Sequence, residues 1–130
     1  MSDPPPPPPP PPSDSDLLQV SLLYTASRAG DETLVRDLLA AGVDLNIQIP
    51  GGNTALHRAA ESGHNDVITI LIEAGADLNI QNNDGMTAVH FATERGHNEV
   101  ATTLFLAGAN LNIQNKDWET PPHYPIARLE

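Results

Sequence analysis

The sequence predicts an all-α fold, a solenoid of stacked helix-turn-helix units with protruding β-turns, and two observations lead to this prediction. The first is an internal repeat: the string Leu-Asn-Ile-Gln occurs unchanged at 45–48, 78–81 and 111–114, a spacing of 33 residues. The second is composition, since aromatic residues make up only 4% of the chain and the core must be built from Ala, Leu, Ile and Val. A unit of this length buries its apolar face only against its neighbours, which produces a stacked array.

Five ladders of identical residues follow the same 33-residue spacing. They are Thr54, Thr87 and Thr120; His57, His90 and His123; Gly42, Gly75 and Gly108; Asn46, Asn79 and Asn112; and Gln48, Gln81 and Gln114. From their phase we expect a repeat domain at 16–130. It should contain full repeats at about 16–48, 49–81 and 82–114, followed by a partial unit at 115–130.

The segment 1–15 differs in composition, because 4–12 is an unbroken run of proline. Proline fixes φ and lacks an amide donor, so we expect a disordered tail that forms a solvated polyproline II rod and joins neither helix nor sheet. Such a rod serves either as a stiff spacer, the interpretation we favour, or as the ligand of a proline-binding domain with an aromatic groove. The flanking Asp3, Asp14 and Asp16 supply no basic anchor, which favours a profilin- or WW-like domain over an SH3-type one.

The middle unit indicates what each repeat should contain. Thr54 precedes a run of small and apolar residues, and its hydroxyl can cap a first helix expected at 55–62. Gly63 ends that helix, because a left-handed cap position favours glycine. A second helix is expected at 65–74, where Gly75 stops it. Its apolar residues form one helical stripe, consisting of Val67, Ile68, Leu71 and Ile72.

The two ends of the array depart from this pattern. In the first unit, Tyr24 stands where the other units have histidine, and Asp16 is expected to cap a longer first helix that serves as the N-terminal cap. In the last unit, Pro122 and Pro125 fall in the first helix, where Pro125 costs about 3 kcal/mol, and no second helix follows. We therefore expect the apolar stripe of the third repeat at 100–105 to lack a proper C-terminal cap. This exposure serves docking or self-association, or it marks a truncated, marginal array that the last residues partly cover.

The repeated residues resemble the ankyrin-repeat family. The middle unit carries Thr54-Ala55-Leu56-His57-Arg58-Ala59-Ala60 with Gly63-His64, and the third unit carries Thr87-Ala88-Val89-His90-Phe91-Ala92 with Gly96-His97. The resemblance covers about 16–130, and many positions match in phase over several copies. It implies L-shaped repeats in a curved solenoid, with turn tips and first helices on a concave face. It also implies binding of other proteins, without catalysis or cofactor.

Positions that differ between the units are the candidates for specificity, because the framework between them repeats. We expect the protein-binding residues at the turn tips and on the same side of the first helices. They are Pro50, Gly51, Asn53, Arg58, Glu61, Ser62, Asn83, Asp84, Met86, Phe91, Glu94, Arg95, Lys116, Trp118 and Glu119. Trp118 stands where the other units have glycine, so it is either a binding hot spot or a lid over the third repeat.

The five histidines raise the alternative of a metal or catalytic site. They form two ladders, and no carboxylate spacing completes a familiar metal cluster on one helix face. In the family, the Thr-x-x-His histidine bridges turns through both ring nitrogens, so we interpret these residues as structural. No nucleophile elbow, phosphate loop or dinucleotide fingerprint occurs in the sequence. We therefore predict a protein that is no enzyme and that holds no metal and no cofactor.

The asparagine ladder has a similar pair of interpretations. Asn46, Asn79 and Asn112 are expected to shape their turns by local Asx-type hydrogen bonds. The family resemblance also implies that an asparagine at this turn can be enzymatically hydroxylated. We favour the structural interpretation, because the hydrogen bond is sufficient to explain the residue type.

The charge balance sets the expected partners. The chain has 17 Asp and Glu against 6 Lys and Arg, and a net charge of −11 repels phosphate backbones and anionic membranes. We therefore expect a protein partner with a basic patch, and neither nucleic acid nor membrane. The sequence has no cysteine and shows no signal peptide or transmembrane segment. A cytoplasmic location is expected, with the nucleus as the alternative.

These features together predict a non-catalytic protein–protein interaction module that acts as an adaptor, inhibitor or scaffold through its concave face. A proline-binding domain at the N-terminal tail is a second expected partner class. The alternatives are a truncated structural repeat fragment without a specific partner, or a part of a larger regulatory assembly.

Overall fold

The computed structural model describes residues 2–11 and 13–116, which contain six α-helices and no strand. The helices are α1 (Asp14–Ala29), α2 (Glu32–Ala40), α3 (Ala55–Ser62), α4 (Asn65–Glu73), α5 (Ala88–Glu94) and α6 (Asn98–Leu106). The helix predicted at 55–62 is confirmed with its bounds, and the one predicted at 65–74 ends one residue earlier. Residues 2–11 are exposed and form neither helix nor strand, as their prolines predict.

The helices form two layers. The first helices of the repeats, α1, α3 and α5, contact one another in sequence, and so do the second helices, α2, α4 and α6. Within each repeat the two helices also pack against each other. The buried positions of α3 include Ala59 and Ala60, whereas α4 buries the larger Val67, Ile68 and Leu71. Small residues therefore bring the first layer together, and branched residues fill the space between the layers.

The start of α1 differs from the expectation. Ser13, not Asp16, is the N-cap: the Ser13 hydroxyl accepts the N–H of Asp16 at 3.2 Å. In return the Asp16 carboxylate accepts the N–H of Ser13, also at 3.2 Å. This reciprocal arrangement is a capping box, in which Asp16 is the third helical residue. The predicted Asp16 cap is wrong, because the helix begins at Asp14, directly after the serine that follows the prolines.

The apolar stripe of the third repeat is less exposed than expected. Val100, Ala101 and Leu104 are all buried, and 40% of Phe105 is exposed. Leu106, which follows, is 75% exposed. Among the described residues, the exposed apolar surface of α6 is therefore confined to the end of the helix.

The Thr-x-x-His segment joins each turn to the next repeat. The His57 Nδ1 atom lies 3.0 Å from the Thr54 backbone nitrogen and 2.8 Å from its hydroxyl, and Nε2 lies 2.8 Å from the carbonyl oxygen of Met86. Nδ1 accepts the Thr54 N–H, so Nε2 carries the proton that is donated to Met86. Thr87 and His90 repeat the first part of this arrangement, with Nδ1 at 3.0 and 2.8 Å from the same two atoms. The predicted structural role is confirmed.

A second histidine ladder links each repeat to the one before it. The His64 Nε2 atom lies 3.0 Å from the carbonyl oxygen of Arg28, and the His97 Nε2 atom lies 3.0 Å from that of Glu61. The ring of His97 covers Gly63 so closely that a Cβ atom there would lie 2.7 Å from Nδ1. Glycine is therefore required at Gly63 both for its positive φ of 76° and for the approach of this ring.

The asparagine ladder also connects repeats. Asn46 Oδ1 accepts the backbone N–H of Asp77 at 2.8 Å, and Asn79 Oδ1 accepts that of Asn110 at 2.8 Å. The local Asx-type bond is instead made by the residue two positions earlier, as when Asp44 accepts the N–H of Asn46 at 3.0 Å. The expectation of a local role is therefore wrong for Asn46 and Asn79. Their position in sequence is that of a turn, but their side chains reach the following repeat.

The contact at Gly63 has a matched control in Gly96. Both glycines have a left-handed φ, 76° and 74°, but a Cβ atom at Gly96 would meet no described atom within 4 Å. Both alanine variants should therefore lose about 1–2 kcal/mol from left-handed strain. Gly63→Ala should lose about 1 kcal/mol more, because it displaces His97 from its hydrogen bond. Urea unfolding of both variants measures the difference, and equal losses would contradict the inter-repeat contact.

Protonation of His57 should weaken the stack. Burial lowers the pKa of His57 below its usual 6.5, although the hydrogen bond with Met86 opposes this shift. The unfolded chain then takes up the proton at a higher pH than the folded chain. The free energy of unfolding should therefore be highest above about pH 6.5 and should fall as the pH falls below that value.

Urea unfolding from about pH 7.5 to about pH 5 measures this effect. The matched variant is His57→Gln, which should lose about 1–3 kcal/mol at the higher pH, because it leaves buried partners unsatisfied. It should also show a smaller decrease on acidification. An unchanged decrease in the variant would assign the pH dependence to other groups.

Candidate protein-binding surface

We define the inner face as the exposed side of α1, α3 and α5 together with the turn tips at 49–53 and 82–86. Its centre is a chain of polar contacts across all three repeats. Arg58 Nε donates a hydrogen bond to the Tyr24 hydroxyl oxygen, and the Arg58 guanidinium carbon lies 5.0 Å from the centroid of the Tyr24 ring. Arg58 Nη1 is 2.9 Å from the Glu61 carboxylate, which Arg95 Nη2 approaches to 3.6 Å.

This network orders side chains more than it stabilises the fold. Arg58 and Glu61 are half-buried, whereas Arg95 is exposed, and pairs of this kind contribute about 0.2–1 kcal/mol. The contacts of Arg58 with Tyr24 and the two ion pairs of Glu61, one at each carboxylate oxygen, restrict the rotamers of Arg58 and Glu61. A partner would therefore meet charges that are already oriented, which reduces the entropy that binding must overcome.

Tyr24 is the residue of this network that the sequence interpretation missed. It lies 33 residues before His57, so its departure from the histidine ladder was visible, but not its contact. Phe91 lies 33 residues after Arg58 and makes the equivalent contact, an edge-on approach to the His57 ring with 5.8 Å between centroids. The side chain at this register thus packs back onto the ring of the preceding repeat.

The turn tips are connected to one another. The Asn83 N–H donates to the carbonyl oxygen of Gly51 at 3.1 Å, and the Asn82 amide donates to Asn53 Oδ1 at 2.9 Å. These bonds hold the tips of the second and third repeats in one row. Loops held in this way present their exposed side chains in fixed positions.

The third turn tip continues the row. The Lys116 N–H donates to the carbonyl oxygen of Asp84 at 2.9 Å, and its ammonium group lies 3.1 Å from the Asp84 carboxylate. Both side chains are more than half exposed, so the pair contributes little stability. It places a positive and a negative group together at the edge of the inner face.

Met86 does not lie on the surface. Only 8% of Met86 is exposed, its carbonyl oxygen accepts the bond from His57, and its sulfur lies 3.5 Å from the Asn115 amide. The structure therefore removes Met86 from the candidate contact residues. The physical reason is the position directly before the Thr87 cap, where the chain turns inward to start α5.

The other candidates divide by exposure. The exposed ones are Pro50, Gly51, Asn83, Asp84, Glu94, Arg95 and Lys116, and the half-buried ones are Asn53, Arg58, Glu61, Ser62 and Phe91. Trp118 and Glu119 lie outside the described residues, as does most of the partial unit expected at 115–130. Binding by any of these residues stays a prediction.

In the described part of the chain, no group of three or more His, Cys, Asp or Glu side chains lies close enough together to hold a metal ion. All four histidines of that part have hydrogen-bond partners at a ring nitrogen. Across residues 2–11 and 13–116, no helix has the length and apolar character needed to cross a membrane.

The comparison with known families agrees with this architecture. A family model described as "Ankyrin repeats (3 copies)" matches residues 22–115, which is more than half of the chain. No curated protein matches the chain significantly. The matched range contains His57, His64, His90 and His97, the glycine caps and the hydrogen bonds between the turn tips at 49–53 and 82–86 described above. The chain therefore belongs to the ankyrin-repeat family.

Proposed function

We propose that the inner face binds one protein partner, so that the chain acts as an adaptor, inhibitor or scaffold. Ankyrin repeats generally mediate protein–protein interaction and are typically non-catalytic. One observation supports the proposal most. Thr54, His57, Thr87 and His90 are buried and hydrogen-bonded within the stack, whereas exposed turn-tip residues at the same register differ, as Pro50 does from Asn83 and Gly51 from Asp84.

This division separates the fold from recognition. Arg95 occupies the position that Ser62 holds in the preceding repeat, whereas Glu94 repeats Glu61; both Glu94 and Arg95 are exposed. Of the side-chain contacts described above, replacing them removes the ion pair of Arg95 with Glu61. Such positions can differ between proteins of one fold without loss of stability, which allows them to determine the partner.

Two charge-matched double variants of the full chain test whether the partner binds at the inner face. Glu94→Ala with Arg95→Ala removes one acid and one base from the inner face, and Arg36→Ala with Asp37→Ala removes the same charges from exposed positions of α2. A protein captured by the immobilised chain is purified and titrated against both. The first variant should weaken binding by about tenfold or more, and the second by less than about twofold.

Two outcomes contradict the proposal. Equal binding of both variants would move the contact away from the inner face. Failure of any protein to bind the full chain reproducibly would favour the alternative of a structural repeat fragment without a specific partner. Circular dichroism of both variants controls for the fold.

We further propose that the partner presents a basic patch. The chain carries a net charge of −11, and Glu32, Asp66 and Glu99 border one polar cavity of ≈ 330 Å³. These carboxylates lie in the first turns of α2, α4 and α6, where the helix dipole stabilises negative charge. A field of this sign attracts a cationic surface before contact is made.

Salt should therefore slow association. Between about 0.05 M and about 0.5 M NaCl, the association rate constant for the purified partner should fall by about tenfold or more, with a smaller change in dissociation. Surface plasmon resonance separates the two constants, and urea unfolding at both salt concentrations controls for the domain. An association rate that does not depend on salt would refute the basic patch on the partner but would not contradict the proposal that the partner binds the inner face.

The exposure of residues 2–11 supports a second candidate partner, a proline-binding domain of the profilin or WW type. The absence of cysteine supports a reducing compartment, and we propose the cytoplasm, with the nucleus as the alternative.

A further inference from the structure

An apolar groove runs along α1. Leu17, Val20 and Tyr24 form one wall, spaced as one face of a helix, and the segment 47–50 forms the other. The groove has a volume of ≈ 470 Å³, and none of its lining side chains is charged. The chain as a whole carries a net charge of −11, so this groove is an uncharged region of an acidic protein. Leu17 is 47% exposed at its rim.

The polar groups of the groove restrict what it can hold. The Tyr24 hydroxyl oxygen accepts a bond from Arg58, which leaves its own O–H to be donated to a ligand. The Gln48 amide is already donated to the carbonyl oxygens of Gly52 and Gln81, at 2.8 and 2.9 Å. The groove therefore offers an aromatic ring, aliphatic walls, the Tyr24 hydroxyl donor and the hydroxyl groups of Ser21 and Thr25. It suits a ligand that is mainly apolar and carries carbonyl acceptors.

A polyproline II segment has these properties. Proline has no amide hydrogen, so its burial against aliphatic walls leaves no donor unsatisfied. Its carbonyl groups point outward from the rod and accept hydrogen bonds. Aromatic-lined grooves bind such rods because the rod is already ordered before binding and loses little entropy.

The chain itself contains such a segment, the proline run at 4–11, and it is exposed. Within one molecule it does not fill the groove. Pro10 and Pro11 line a second cavity, which shares Val20 and Ile47 with the groove but extends to the other side of them, toward Val43. The run is stiff and rises about 3.1 Å per residue. It would have to bend sharply past Val20 and Ile47, which line both cavities, to enter the groove of its own chain.

We propose that the proline run of one molecule occupies the α1 groove of a second copy. Two molecules that exchange their runs form a dimer with two-fold symmetry, in which the same contact occurs twice. Each contact alone is small, but the second forms within the complex and gains from a high effective concentration. The groove shares Tyr24 and the turn tip at 49–50 with the inner face. The two proposals are nevertheless tested separately, because Glu94 and Arg95, which test the inner-face partner, lie in another repeat and do not line the groove.

Sedimentation velocity of the full chain between about 10 µM and about 1 mM tests the dimer. Leu17 and Leu18 provide a matched pair on α1, because both are exposed but only Leu17 is part of the groove. Leu17→Ser should raise the dimer dissociation constant by about tenfold or more, and Leu18→Ser by less than about twofold. Replacement of 4–11 by Gly-Ser residues of equal length should abolish the dimer. Circular dichroism verifies that each variant is helical.

The absence of cysteine allows a direct measurement. Unenriched protein carrying a spin label at Ser2→Cys is mixed with ¹⁵N-enriched protein that has no spin label. The Leu17, Val20 and Tyr24 amide signals of the ¹⁵N-labelled chain should broaden in the mixture. An excess of a nine-proline peptide should remove both the broadening and the dimer.

Four results would each overturn the proposal. They are a monomer at every concentration, a dimer that survives Leu17→Ser or replacement of the run, broadening that appears only in a second sample in which spin label and ¹⁵N are in the same molecule, and peptide binding by a chain that stays monomeric. The third would assign the run to its own groove, and the fourth would assign the groove to a proline-rich segment of another protein.

Discussion

The structure depends on buried polar groups of each repeat that are satisfied by the neighbouring repeat. His57 shows this most clearly. Its Nδ1 atom accepts the N–H of the Thr54 cap in its own repeat, and its Nε2 atom donates to the Met86 carbonyl oxygen of the next repeat. Leaving such a buried partner unpaired costs about 1–3 kcal/mol. Apolar packing alone tolerates small shifts between helices, but this bond requires one register and one orientation. The stack therefore forms with a fixed geometry.

The same constraint explains why function can be placed at the edge of the stack. Histidine, asparagine and glutamine ladders use their side chains to bridge repeats, at His64 to Arg28, Asn46 to Asp77 and Gln48 to Gln81. The exposed side chains of Pro50, Glu94 and Arg95 take no part in these ladder bonds. They lie on the inner face, where the turn-to-turn bonds hold the tips at 49–53 and 82–86 in one row.

Sequence reasoning predicted the elements of the fold well, because each depends on local chemistry. The Thr54 cap, the Gly63 stop and the bounds of α3 follow from residues within one turn of each other. Ser13 also had a local signal, a serine followed three residues later by Asp16, but the adjoining prolines led the interpretation to assign it to the tail. The contact of Tyr24 with Arg58 and the burial of Met86 had no local signal. Both depend on how side chains of different repeats meet.

Tyr24 shows how one departure from the repeat pattern creates a polar network on the inner face. The first repeat has Ser21 within α1 instead of a threonine at a helix start, so the residue at the histidine position has no cap to serve. A tyrosine there is free to turn toward the inner face, where its ring meets Arg58. Arg58 is joined to Glu61, and Glu61 to Arg95. A contact that moves Arg58 must therefore also change the surroundings of Glu61, so the end of the inner face beside the α1 groove is physically connected to the end of α5.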